Sequence, residues 1–174
     1  MLDPKPLLRT FRFKITLLQS PQPGAEPSDN KPLDAAESGG FLGDGAFQEC
    51  TGLEISMDVQ EYLEGGRNDG VIQQVGRAKY VPLVLKRGMF YGDKGQVNRD
   101  LWQWLQTIVA GQRPVVRYDG RVEVMRAGMD VAAVWVFDRG LPAKIKGPDL
   151  NGKTGDVAIE ELTIAHEGLR LVEV

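Results

Sequence analysis

The sequence predicts a mainly β protein, an antiparallel β-sandwich or partial barrel with one flanking α-helix. Three observations carry that prediction. Apolar and polar residues alternate through several short runs, most cleanly from Leu53 to Gln60. Breaks rich in Gly, Pro, Asn and Asp separate those runs. One stretch, "NRDLWQWLQTIVAG", has helical spacing instead.

The chain has 174 residues, enough for one domain with a core, and residues 1–174 are read as a single domain. Its hydrophobic (42%) and charged (26%) fractions are those of ordinary soluble proteins. A net charge of -3 gives no general pull toward nucleic acid or an anionic membrane. No apolar run approaches the roughly 18–20 residues that span a bilayer, so no membrane insertion is expected. The start, "MLDPKPLLRTFRFKITLL", lacks the pattern of a signal peptide. Cys50 is the single cysteine, which fits assembly in a reducing cytosol.

Taken in order, "FRFKITLL" (11–18) alternates and opens the fold as a strand. Residues 19–45 are rich in Pro, Gly, Ser and acids without an apolar period, and read as a long insertion loop. From Leu53, one face carries Leu53, Ile55, Met57 and Val59, and these are expected in the core. The other face carries Glu54, Ser56, Asp58 and Gln60. "EGGRNDG" (64–70) is a break whose glycines, Asn68 and Asp69 tolerate positive φ. "AKYVPLVLKRG" (78–88) resumes strand character, with Pro82 marking an edge or an entry.

The helix is expected over about 97–110, with Asn98 as N-cap, Asp100 favouring the dipole and Gly111 as C-cap. Leu101, Trp104, Leu105, Ile108 and Val109 form its apolar stripe, read as core packing. "VVRY" and "RVEVM" flank Asp119-Gly120, a hairpin signal. "AAVWVF", with Trp135 expected in the core, ends at "DRGLP", and "AKIKG" at "PDLNGKTG". The last segment alternates Val157, Ile159, Glu161, then shifts to Leu162, Ile164, His166, which suggests a bulge near Glu160-Glu161 or pairing on both sides. The sum is about eight strands and one helix, within the size of sandwiches and barrels.

Few residues suit catalysis. One Cys and one His fall short of the roughly four ligands of a structural zinc site, and no metal or other cofactor is expected. Cys50 reads as a small buried hydrophobe and His166 as a structural residue. Glu61, Glu64 and Asp69 could supply a hydrolase's carboxylates, but they stand beside glycines with no aromatic platform. A charged turn or contact surface fits them better. "GGRNDG" matches neither the dinucleotide fingerprint nor the phosphate loop. Arg77, Lys79, Lys86 and Arg87 form a basic stretch just after this acidic one. The two either pair across one hairpin or join neighbouring molecules, negative patch to positive patch.

The motifs "FQECTGLE", "EYLEGGRND", "KYVPLVLKRG" and "AIEELTIAHEGL", in this order, resemble the tail tube proteins of contractile phages and related injection systems. "FRFKI", "LWQWLQTIVAG" and "VWVFDRGLPAKIKGPDLN" extend the likeness over the larger part of the chain. The resemblance implies a structural protein without catalysis, whose protomers complete a shared barrel in hexameric rings stacked into a hollow tube. Implied partners are further copies of the chain, a sheath, baseplate, hub and cap proteins, and cargo or DNA in the lumen. Implied assembly is in the bacterial cytoplasm, within a phage tail or injection particle. The alternative in the same family is the subunit that starts the tube at the baseplate. On this reading Glu61, Glu64, Gly65, Gly66, Arg67, Asn68 and Asp69, with Arg77 and Lys79, contact the next ring or protomer. Glu54, Ser56, Asp58 and Gln60 face the lumen or a neighbour.

Overall fold

The computed structural model describes residues 8–9, 12–21, 41–42, 47–63, 65–66, 70–91, 95–126, 128, 130–153 and 155–173. Alternating β-formers make most of these strands: β1 (Phe13–Gln19), β2 (Phe41–Leu42), β3 (Phe47–Thr51), β4 (Ile55–Tyr62), β5 (Ile72–Tyr80) and β6 (Leu83–Gly88). After helix α1 (Asp100–Val109) come β7 (Tyr118–Met125), β8 (Val131–Lys146), β9 (Ile159–Ala165) and β10 (Gly168–Val172). The fold is mainly β and its strand pairs are antiparallel.

The large sheet has the order β2-β1-β7-β8-β9-β6-β3, with β10 also on β8. β1 and β3, near opposite ends of that order, approach each other, so the sheet curls around one core. Ile15, Leu17, Leu83, Leu85, Val122, Phe137, Leu162 and Ile164 fill it, and α1 adds Leu101 and Trp104. Ile108 and Trp135 are partly buried against this core, and Leu105 is half-buried.

Three local readings change. Asp119-Gly120 is no hairpin turn, because β7 runs straight through it. A Cβ on Gly120 would lie 2.0 Å from Phe137 Cε1, so the glycine is there to let that ring in. Asp119 Oδ1 meanwhile accepts from Arg139 N at 2.7 Å and Ser20 Oγ at 2.6 Å. "DRGLP" does not end a strand either. β8 passes through it as one 16-residue strand, turning at Arg139, whose φ is +53°. Its first part pairs with β7 and β10, and its last part with β9.

Of the two readings offered at Glu160-Glu161, pairing on both sides holds: β9 pairs with β6 in a regular ladder from Ile159 to Ile164 and with β8 on its other side, without a bulge at Glu160-Glu161. The inward face simply begins with Glu160, followed by Leu162 and Ile164, because Glu160 has a buried partner in Arg87. The helix starts after Arg99, and Asn98 Oδ1 accepts from Asp100 N at 3.0 Å from one position earlier than a standard cap. Ala110 holds the C-cap, with Gly111 following at φ +82°.

One expectation about the core fails. Ile55, Met57 and Val59 do not face the interior; every residue of β4 is exposed. Among the described residues, β4 and β5 form a separate two-stranded sheet that pairs with no strand of the large one, and no described strand or helix covers either face. Leu53, just before β4, is the member of that set that packs on the core. Of the insertion, 19–21 and 41–42 are described, and β2 pairs Leu17↔Leu42 and Leu18↔Phe41; the rest lies outside the described residues.

Candidate functional site

An amphipathic ribbon that stands off its own domain is the feature most in need of a purpose. A lone two-stranded hairpin is marginal in water, since its apolar face needs a covering layer. In an antiparallel pair, residues directly opposite share a face. Ile55 opposes Tyr80, Met57 opposes Ala78 and Val59 opposes Val75, so one face of the ribbon is apolar from its root to Val59, where Glu61 opposite Gln73 ends the stripe. Ser56 opposes Lys79 and Gln60 opposes Gln74 on the other, polar face.

A bulge keeps those faces clean. The register shifts between Met57 and Val59, so Asp58 stands opposite the extra length of Gly76 and Arg77. Without it Val75 and Ala78, three positions apart, would fall on opposite faces. Gly76 is required there, because a Cβ would lie 2.4 Å from the Asp58 carbonyl oxygen. Exposure is large for residues of this kind: 51% at Met57, 58% at Val59 and 81% at Val75. Tyr62, on the other face opposite Ile72, and Leu63 and Val71 beyond it add exposed apolar surface at the far end of the hairpin. Exposed apolar residues set side by side like this make the hairpin the candidate contact surface of the chain.

The residues singled out in the sequence divide as follows. Glu54, Ser56, Asp58, Gln60 and Glu61 are exposed along the first strand and its approach. Gly65 and Gly66 lie in the turn, Gly66 at φ +93°. Glu64, Arg67, Asn68 and Asp69 lie outside the described residues. Lys79 bonds Asp58 at 2.7 Å within the hairpin, and Lys86 bonds Glu49 at 3.0 Å between β3 and β6. Arg87 is turned inward to Glu160. Three cations of the basic stretch are thus engaged inside the chain, and Arg77 is exposed at the bulge.

Alternation alone could not reveal that the apolar face of β4 is uncovered. A stripe of apolar residues looks the same whether its cover comes from this chain or another. The buried Arg87–Glu160 pair did leave a signal, in the carboxylate occupying an apolar slot ahead of Leu162. Elsewhere there is little to support chemistry. Among the described residues no group of three or more His, Cys, Asp or Glu could hold a metal ion. A shallow cleft between Gln19, Pro21, Pro114, Val115 and Val116 is edged by Arg117 and Arg139, both of which bond Glu167. Burial pushes the Cys50 thiol up to about 11, away from reactivity.

The family model described as T4-like virus tail tube protein gp19 matches residues 9–170. The chain belongs to that tail tube family. No curated protein matches the sequence. As a tail tube protein it is a structural subunit of a tail tube. Among solved structures, a chain in the cap that terminates the anti-feeding prophage tube is 18% identical with a TM-score of 0.73, covering 100% of this chain and 96% of that one. A chain of the anti-feeding prophage baseplate is 19% identical at a TM-score of 0.71, covering 98% and 97%. A chain of the extended sheath–tube complex of the extracellular contractile injection system PVC is 18% identical at 0.71, covering 98% and 94%. At these identities the likeness shows the tail tube fold. No helix of the described residues is long and apolar enough to cross a membrane.

Proposed function

We propose that this tail tube protein assembles with copies of itself into stacked hexameric rings around a hollow lumen, with no catalysis. The observation that carries the proposal is the uncovered apolar face of β4–β5, Ile55, Met57, Val59, Val75, Ala78 and Tyr80. A neighbouring protomer supplies the layer that this chain lacks, burying those residues as a domain buries its own core. The polar face, with Ser56, Asp58, Gln60 and Lys79, is then left to water, as the lining of a channel for cargo or DNA. The turn from Glu61 to Asp69, with Arg77, reaches the next ring or protomer. Joining strands between protomers also removes the open edges of β3, β5 and β10, and head-to-tail stacking can continue without closure.

Supporting this, the structures it resembles come from particles with a tube, sheath, baseplate and cap. Sheath, baseplate, hub and cap proteins are its partners on this reading, and assembly precedes release in the bacterial cytoplasm. A second reading, one ring at the start of the tube, draws on the baseplate likeness. Quantitative mass spectrometry of particles separates the two: one ring's worth of copies means an initiator, many rings' worth the tube body. Electron microscopy of purified protein tests both, since a chain that stays monomeric at high concentration and is absent from particles sinks the assembly.

A further inference from the structure

The apolar face of the hairpin ends in a charge. Val59 opposes Val75 and Glu61 opposes Gln73, so Glu61 stands on the same face as the stripe, at its far end. Leu63 follows just past β4 and is 76% exposed. A surface that covers this face must end in an apolar seat with a cation beside it, because a carboxylate buried without a partner is costly. The sequence from Glu61 to Gly70 adds to that demand, with three acids and Arg67 as its single base.

The chain carries such a seat. Pro21, Pro114, Val115 and Val116 line the cleft that Arg117 and Arg139 edge. Its 190 Å³ is the room of roughly six waters, which suits a side chain or two and not a helix. Arg139 is held at both ends. Its backbone N–H donates to Asp119 Oδ1 at 2.7 Å, fixing a φ of +53° that few arginines adopt, and its Nε donates to Glu167 Oε2 at 2.9 Å. Both Nη groups are left without a partner among the described residues, and such a pair of N–H groups can take a carboxylate bidentately. Arg117 gives Nη1 to Glu167 and to the Arg139 carbonyl, and Arg113 is exposed beside Pro114. Three guanidiniums thus stand against the carboxylates of Glu167 and Asp119, so the rim is net positive.

The cleft lies at the root end of the chain's own hairpin. Glu167, which holds Arg139, follows His166, whose Nε2 is 3.1 Å from the carbonyl oxygen of Val81, just after β5. The strand carries Glu61 six residues beyond Ile55, roughly 20 Å from that root. A tip that reaches the cleft therefore comes from another copy. We propose that the Arg139 cleft seats the tip of a second copy's β4–β5 hairpin, with Glu61 on the Arg139 fork and Leu63 on the floor of Pro114, Val115 and Val116. This rests on the hairpin being the assembly surface and names where its tip lands. Every copy carries both halves, so the contact repeats head to tail.

The test mixes two full-length variants, Leu63→Cys and Val115→Cys, at assembly concentration with a short bismaleimide. A linked dimer on a denaturing gel is expected from the mixture and from neither variant alone. Sedimentation reads tube yield. Arg139→Gln, with a monomer melt to check its fold, is expected to raise the critical concentration for tubes about tenfold, the worth of one charge-assisted bond. Glu61→Gln is expected to do the same, and the double variant no more than either, since each removes the same bond. Tubes that form without the mixed dimer overturn the seat and leave the tube reading standing. A double variant whose loss is the product of the two singles overturns it too, as does a chain carrying both cysteines that links to itself at high dilution. A mixed dimer without tubes at any concentration keeps the seat and overturns the tube reading.

Discussion

Arg87 and Glu160 face each other across β6 and β9 with side chains 1% exposed, the Arg87 Nε donating to Glu160 Oε1. The second carboxylate oxygen accepts from Trp102 Nε1 at 2.9 Å, which ties the start of α1 to the sheet. The guanidinium lies 5.4 Å from the Phe90 ring centre and 5.9 Å from that of Phe47. Its Nη1 is buried without an acceptor among the described residues. Removing one partner strands a charge in this setting. Glu160→Leu alone is expected to cost about 3–5 kcal/mol in urea denaturation, and the double change Arg87→Met/Glu160→Leu clearly less. A double variant as unstable as the single would show that the ionic pair itself is what the fold depends on.

Gly120 gives a second expectation, from space alone. A methyl group there would overlap the Phe137 ring, with its nearest atom 2.0 Å away. Gly120→Ala should lower stability by about 1–3 kcal/mol or more, the usual cost of overpacking. Adding Phe137→Leu should return part of that loss, which a thermal melt of the three proteins would reveal.

For the hairpin, stability and assembly should part company. Met57→Asp and Val59→Asp change exposed positions, so the monomer's unfolding free energy should change by no more than about 0.5 kcal/mol. Tube formation should be abolished in both, as read by sedimentation and electron microscopy. Leu85→Ala, at a position 1% exposed, should behave in the opposite way and cost about 2–5 kcal/mol of monomer stability. If the aspartate variants assemble normally, the apolar face of β4 is not what neighbours bury.

Cys50 should be slow to react. Its thiol is moved from 9.0 to about 11 by burial, leaving about a hundredfold less thiolate near pH 8 than an exposed thiol has. Alkylation of the folded chain should lag the urea-unfolded chain by at least that factor. Because the folded thiol holds its proton more tightly, its contribution to stability is complete below pH 9.0 and is lost as pH rises toward 11.

Much of this fold was legible in the chain because local pattern and final environment agree. The alternation of Leu83 and Leu85, and of Leu162 and Ile164, faces the core in the structure, and the stripe of Leu101 and Trp104 does the same from the helix. The misreadings came where a residue serves something distant in sequence. Gly120 looks like a turn glycine, yet it answers to Phe137 on the next strand. Glu160 looks like a slip in register, yet it answers to Arg87 on β6. "DRGLP" has turn composition, but pairing on both sides of β8 carries the strand through it. For Ile55, Met57 and Val59 the alternation itself was read correctly, and the direction of burial was not, because a sequence does not say whose atoms complete a layer.

β8 has one last consequence. Its 16 residues belong first to the part of the sheet built with β7 and β10, then to the part built with β9, with the corner at Arg139 and no loop between them. A push on either part therefore travels through covalent backbone and two flanking ladders before it can be taken up by any side-chain repacking. Bending one part relative to the other means breaking ladder bonds on both flanks at once. In the tube proposed above, that makes each subunit stiff along its own body and leaves compliance to the seams between subunits.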